Sequence, residues 1–197
     1  MYEGSLMSGL LVVISAPSGA GKTSIIDGIL EKNKHDYQYS VSATSRPPRK
    51  GEINGIDYYF ITEEEFKRKI ENNEFIEWAQ VHNYYYGTLR EKVETLLAKH
   101  HVIILDLDVC GGRSIREKYP QTSLLIFIAP PSRKVLLERL RTRGTDSEVE
   151  IQKRLTRYPE EMGQAQFYDH IIVNEVLNDT IDVIEKLIVE ANKKNKV

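Results

Sequence analysis

One segment constrains this chain more than any other: LLVVISAPSGAGKTSII, residues 10–26. The apolar run Leu10–Ile14 reads as a strand that stops at Ser15. A loop of small residues, Ala16, Pro17, Ser18, Gly19, Ala20 and Gly21, then leads to Lys22, Thr23 and a helical pattern. Strand, glycine loop, lysine-hydroxyl and helix in that order form a cradle for nucleotide phosphates. The loop's N–H groups converge on the anion and the helix N-terminus adds positive potential. Lys22 adds a mobile charge, and the Thr23 hydroxyl suits Mg²⁺. The strict pattern opens with Gly, and here Ala16 stands in that place.

At 197 residues, 41% hydrophobic and 28% charged, the chain has the make-up of a globular protein with one substantial core. A net charge of −2 gives no footing for nucleic acid or a membrane surface. One cysteine, Cys110, rules out an intrachain disulfide and a cysteine-rich zinc site. It fits a reducing, cytoplasmic setting. Apolar runs are too short to span a bilayer, and no secretory signal is expected. Residues 1–6 read as an extension.

Further strand-like runs fall at Val102–Asp106, Leu124–Ile128 and Ile171–Val173. Helical patterns fall at Thr23–Glu31, Leu89–His100, Arg133–Arg143 and Thr180–Asn192. Apolar strands alternating with helices predict an α/β fold, a parallel sheet covered on both faces. The stretch Tyr39–Thr88 differs: YSVSATS, DYYFIT and FIEWAQV read as short strands of a mixed sheet, with a helix over Glu63–Asn72. Thr62 and Glu65 have the spacing of a capping box for it. Pro130–Gln166 is charged and helical, with a kink or boundary expected at Pro159.

Asp106 and Asp108 close the run VIILDLD, and strand alternation would turn both to one face. Asp106 after four apolar residues has the form of a carboxylate that holds Mg²⁺. In SRPPRKGE, two prolines limit the directions of Arg46 and Arg49, whose forks suit oxyanions. Arg139 and Arg143 share a helix face, with Arg154 and Arg157 on the next helix. The glycine after Arg143 marks a segment able to fold over a ligand. Cys110 reads as a small buried hydrophobe and Trp78 as core.

These residues resemble guanylate kinases. SAPSGAGKT, SVSATSRPPRKGE, NGIDYYF, EFIEWAQV, NYYYGT, ILDLDVCG, FIAPPS, RGTDSE and IIVN occur in that family's order, over roughly Leu10–Asn192. The resemblance implies a three-layer α/β/α phosphate-loop domain over 7–194. Its core would be about 7–38, 97–129 and 167–194, with a GMP-binding insertion about 39–96 and a helical lid about 130–166. It implies ATP-dependent phosphorylation of GMP to GDP in purine nucleotide metabolism, with Mg²⁺. Arg46, Arg49, Tyr58 and Tyr86 would hold the GMP phosphate. Ser42, Glu77, Thr88 and Asp108 would read guanine. Lys22, Arg139, Arg143 and Arg154 would surround the transferred group. Residues 16–23 and Asn174 would hold ATP, with Asn174 near the adenine, and Thr23 and Asp106 the metal.

The chain departs from the family pattern at Cys110, where glutamine is common, and at Arg157-Tyr158-Pro159. A non-catalytic interaction module and a kinase of another phosphorylated acceptor are the alternatives. Retention of Lys22, Arg46, Arg49 and Glu77 argues against the first, and Ser42, Glu77 and Thr88 together against the second. Monomer and homodimer both remain open in the sequence.

Overall fold

The computed structural model describes residues 9–81, 83–99, 101–144 and 147–195. In chain order the strands are β1 (Leu10–Ser15), β2 (Tyr37–Tyr39), β3 (Ala43–Thr44), β4 (Tyr59–Phe60), β5 (Phe75–Val81), β6 (Tyr84–Leu89), β7 (Val102–Asp106), β8 (Ser123–Ala129) and β9 (His170–Val173). The helices are α1 (Lys22–Lys32), α2 (Glu63–Glu71), α3 (Arg90–Ala98), α4 (Val109–Lys118), α5 (Arg133–Arg143), α6 (Glu148–Gly163) and α7 (Leu177–Asn195).

Five strands form a parallel sheet in the order β2-β7-β1-β8-β9. β1 is central and buried along its whole length, as an apolar strand without alternation must be. Its side chains still alternate between the two faces. Leu10, Val12 and Ile14 pack with Ile25, Ile26 and Ile29 of α1 and Ile181, Ile184 and Ile188 of α7. Leu11 and Val13 face Val93 and Leu97 of α3 and Ile115 of α4. The result is the three-layer arrangement expected. Register pairs Ile14 with Asp106 and Ser15 with Phe127, so the loop after β1 and the end of β7 share one sheet edge. That edge is the carboxyl end of the strands, where α/β folds place their ligands.

The second sheet has the order β4-β3-β6-β5 and is mixed, with β3 parallel to β4 and antiparallel to β6. Phe66 of α2 stacks on Phe75 at 4.3 Å and on Tyr85 at 5.4 Å between ring centroids. Between Phe75 and Glu77 the β5–β6 register shifts by one residue. The bulge buries Phe75, Ile76 and Glu77 in succession and sets Glu77 opposite Thr88.

α5 and α6 pair through Leu136, Leu140, Ile151 and Leu155. The Ser147 side chain and Glu150 form a complete capping box at the start of α6. At α2 the Thr62 hydroxyl accepts from the Glu65 N–H at 3.1 Å.

Several expectations are corrected. YSVSATS splits: Tyr39 ends a core strand, while Ala43 and Thr44 belong to the second sheet. β7 stops at Asp106, so Asp108 is not a strand residue; it caps α4, its carboxylate accepting from Gly111 N–H at 2.8 Å. Helix α4 was missed because its Gly111-Gly112 pair lowers helix propensity. Of the kink or boundary expected at Pro159, the boundary is absent: α6 continues to Gly163. Cys110 is exposed rather than buried. Trp78 is 47% exposed rather than core, because its side of β5 faces outward. His100, at the end expected for α3, lies outside the described residues. Among the described residues no helix is long and apolar enough to cross a membrane.

Candidate active site

The phosphate loop is built from backbone and braced from behind. Gly19 (φ 92°) and Gly21 (φ 98°) adopt left-handed backbone that side chains resist. Both are also crowded. A Cβ on Gly19 would lie 2.8 Å from Leu140 of α5, and one on Gly21 would lie 2.5 Å from Asn174 Nδ2. The Ala20 carbonyl accepts from Asn174 Nδ2 at 2.8 Å and from Arg139 Nη1 at 3.3 Å. Arg139 Nη2 also donates to the Asn174 carbonyl at 2.9 Å. Asn174 is buried, and its Oδ1 accepts from the Thr180 hydroxyl at 3.2 Å. Its amide is thus engaged by the loop and α7. Arg154 of α6 donates to the Ser18 hydroxyl. Ala16 packs against the core, Pro17 is buried, and the Ala20 N–H closes a tight turn onto the Pro17 carbonyl at 3.0 Å.

Lys22 opens α1 and its Nζ pairs with Asp106 while donating to the Leu107 carbonyl at 3.3 Å. Both side chains are about one quarter exposed, 23% and 27%, so solvent reaches the pair. Thr23 is exposed at the first turn of α1. Hard oxygens at Thr23 and Asp106 suit Mg²⁺, which takes most of its coordination from phosphates and water. Among the described residues no group of three or more His, Cys, Asp or Glu side chains could hold a metal by itself.

A cavity of about 460 Å³ opens beyond Lys22, between the core sheet and the second sheet. Lys22, Asp106, Asp108 and Arg154 line its core side. Ser42, Arg46, Arg49, Tyr58, Glu77 and Tyr86 line the rest. Arg46 is 8% exposed and lies 5.5 Å from the Tyr58 ring and 5.7 Å from the Phe60 ring. Tyr58 and Tyr86 meet edge to face at 6.0 Å. Glu77 is 7% exposed, and the fully buried Thr88 donates to its Oε1 at 2.6 Å. Burial pushes the Glu77 carboxyl up to about 7, against the opposing pull of that hydrogen bond; the charge of Asp108 adds to the rise. Space for this carboxylate is left by Gly111, whose Cβ would stand 3.0 Å from Oε2.

The cavity therefore gathers most of the residues singled out in the sequence. Thr88 lies behind Glu77 rather than on the surface. Arg139 and Asn174 support the loop from outside the cavity. Arg143, in the last turn of α5, is exposed and does not line the cavity, so sharing a helix face with Arg139 does not bring it in. Residues missed by sequence reasoning include Tyr39, Glu52 and Thr180. Tyr39 ends β2 and lines the cavity, where burial and the charge of Asp106 raise its phenol. Nothing in its sequence context signals this. Glu52 sits inside the arginine motif, and its spacing from Arg46 was the available clue.

A family model described as guanylate kinase matches residues 8–191. A guanylate kinase of Caldanaerobacter subterraneus subsp. tengcongensis is 43% identical over 181 residues, 92% of this chain and 87% of the relative. One from Thermotoga maritima is 44% identical over 182 residues, with the same coverage of each. A crystal structure of guanylate kinase from Anaplasma phagocytophilum aligns with TM-score 0.76 at 34% identity, covering 93% of this chain and 86% of that one.

Proposed function

Since this chain belongs to the guanylate kinase family, we infer that its cavity binds GMP and that it transfers the γ-phosphoryl group of ATP to the GMP phosphate, giving ADP and GDP. One observation carries the reading: a buried carboxylate, Glu77, shares a single cavity with the Arg46/Arg49 pair and Lys22. Guanine offers N1–H and N2–H₂ as adjacent donors, and a carboxylate accepts both. Adenine lacks that pair and would leave Glu77 buried and unmatched. Ser42 and Asp108 line the same cavity and complete the donors and acceptors available to the base.

The attacking group is a phosphate oxygen ionised at neutral pH, so no general base is required. The new bond joins that oxygen to the γ-phosphorus, and the bond to the ADP oxygen breaks as the electron pair leaves with ADP. Arg46, Arg49, Tyr58 and Tyr86 fix the acceptor phosphate, and the braced loop fixes the donor, which supplies the in-line geometry. Lys22 and Arg154 offset charge on the transferred group, and Arg143 would join them only if α5 and α6 moved toward the cavity. Thr23 and Asp106 would hold Mg²⁺, which when bound neutralises charge on the phosphates. Asp106 now pairs with Lys22; were it to serve as a metal ligand, Nζ of Lys22 would be available to the ATP phosphates. Closure of α5 and α6 would also exclude water. Free nucleotides as substrates accord with a cytoplasmic enzyme that engages neither nucleic acid nor membrane.

A coupled assay for ADP with Mg-ATP and GMP, AMP, CMP or UMP tests this. Turnover with GMP and not with the others is expected. Folded protein inactive with every acceptor would sink the reading in favour of a binding module.

A further inference from the structure

Glu52 has no part in the chemistry derived above, yet its carboxylate accepts three hydrogen bonds from Arg46 and Arg49, two residues that line the cavity. The Arg46–Glu52 segment turns back on itself at Gly51 (φ 93°), where the Glu52 N–H donates to the Arg49 carbonyl at 3.1 Å. This reversal brings the Glu52 carboxylate against Arg46. Its Oε1 accepts from Nη2 at 2.8 Å, and its Oε2 from Nη1 at 3.0 Å. The same Oε2 accepts from the Arg49 backbone N–H at 2.6 Å. One carboxylate thereby holds a guanidinium side chain and a main-chain amide three residues apart.

The pairing determines which donors remain. Arg46 Nη1 also donates to the Pro47 carbonyl at 2.8 Å, so both of its N–H groups are engaged. One Nη2 N–H goes to Glu52. That leaves Nε–H and the second Nη2 N–H, side by side on one edge of the plane, to be shared between the Tyr86 hydroxyl, which interacts with the same guanidinium, and an incoming anion. Two parallel N–H groups on one edge are what a phosphate takes from arginine. Tyr58 and Phe60 flank the guanidinium and limit its rotation.

We propose that Glu52 is the positioning residue of the monophosphate site, turning the side edge of Arg46 and the Arg49 loop toward the acceptor phosphate. The proposal rests on the reading of this cavity as the GMP site. It has a consequence opposite to simple electrostatics. Glu52 cancels one of two positive charges facing a phosphate dianion. If net charge governed binding, removing it would tighten GMP. If orientation governs, removing it loosens GMP.

The test is calorimetric titration with GMP and steady-state kinetics on the full chain, wild type against Glu52→Gln and Glu52→Asp, with a thermal melt of each. Glu52→Gln should raise Kd and KM for GMP at least about tenfold, as expected for losing hydrogen bonds to a charged group. KM for ATP should stay within about twofold and the melt should hold, which separates positioning from damage to the fold. GMP affinity equal to or tighter than wild type overturns the proposal, and so does an equal loss for ATP and GMP with a lowered melt. Should Glu52→Gln not fold, Glu52→Asp carries the test: a selective loss of GMP affinity supports the proposal, and unchanged affinity overturns it. In an Arg46→Lys background Glu52→Gln should cost clearly less than in the wild type, since only the Arg49 amide is left for Glu52 to hold, and a fully additive loss overturns the proposal. Wild type that neither binds nor phosphorylates GMP would fail the functional reading itself, and that control precedes every variant.

Discussion

The two regions proposed to bind phosphate are built by opposite means. On the donor side, six consecutive loop residues present backbone, and side chains from distant elements hold that backbone in place: Asn174, Arg139 and Arg154. On the acceptor side the roles reverse. Backbone from β3, β5 and β6 forms a frame, and the chemistry is carried by side chains, above all Glu77, Arg46 and Arg49. A donor site of amides would serve nucleotide triphosphates alike, whereas an acceptor site of buried side chains would discriminate among bases. On the proposed reading, main chain would hold the donor phosphates, and side chains would hold the acceptor phosphate and recognise the base.

The comparison can be broken on its donor side first. Lys22→Met removes the one mobile charge of the loop. It leaves Asp106 partly solvated, so the fold should survive. We expect kcat to fall at least ~100-fold with little change in the melt, by analogy with removing one preorganised charge contact. A near-normal kcat would show that backbone alone suffices there.

Glu77→Gln tests the acceptor side and sharpens the contrast through pH. Replacing a double acceptor by an amide should lower kcat/KM for GMP by ~10–100-fold, or about 1–3 kcal/mol. The same variant should be the more stable protein at alkaline pH. In the folded chain Glu77 keeps its proton up to about pH 7, while an ordinary carboxyl loses it near 4.5. Between those values the folded form binds more protons than the unfolded, so stability falls as pH rises through the window. Above pH 7 the buried charge costs on the order of 3 kcal/mol, which Gln avoids. Melts at pH 8 check this, and an unchanged or lower melt for Glu77→Gln would contradict it. Conversely, GMP affinity of the wild type should weaken below pH 7 as Glu77 gains a proton, with that inflection absent from Glu77→Gln.

The smallest effect is expected from Thr180→Val, which touches neither substrate. It leaves Asn174 Oδ1 as a buried acceptor without its donor, at a cost of ~1–3 kcal/mol in stability. Because Asn174 supports the Ala20 carbonyl, KM for ATP should rise a few-fold while KM for GMP is unmoved. A change in GMP use of equal size would show that the two regions are not separable in this way.

How much of this was legible follows the same division. The donor loop is contiguous, so its sequence carried both the strand–loop–helix order and the identity of Lys22 and Thr23. The core strands were legible as well, since a strand buried on both faces must be apolar along its run, as β1, β7 and β8 are apart from Ser15, Asp106 and Ser123 at their ends. On the acceptor side Arg46 and Arg49 were legible in SRPPRKGE as candidate oxyanion binders, whereas Glu77, Tyr58 and Tyr86 were found through the family resemblance, because they are separated in the chain and share no local pattern. Even there the resemblance named contacts and not environments. Nothing local marks the β5 bulge that sets Glu77 opposite Thr88, or the glycine at 111 that leaves its carboxylate room.

What the sequence determined by itself, then, is whatever depends on neighbours in the chain: the apolar strands, the strand, glycine loop and helix order around Lys22, and the cap at Thr62. Tertiary structure decided burial and long-range pairing. It exposed Trp78 and Cys110 where composition pointed inward, and kept α6 helical through Pro159. It made Asp108 a helix cap rather than a strand residue and turned Asn174 and Arg139 onto the back of the loop. The physical reason is that solvation and hydrogen-bond partnership are properties of a place in the packed molecule. A side chain acquires them only when elements far apart in the chain have met.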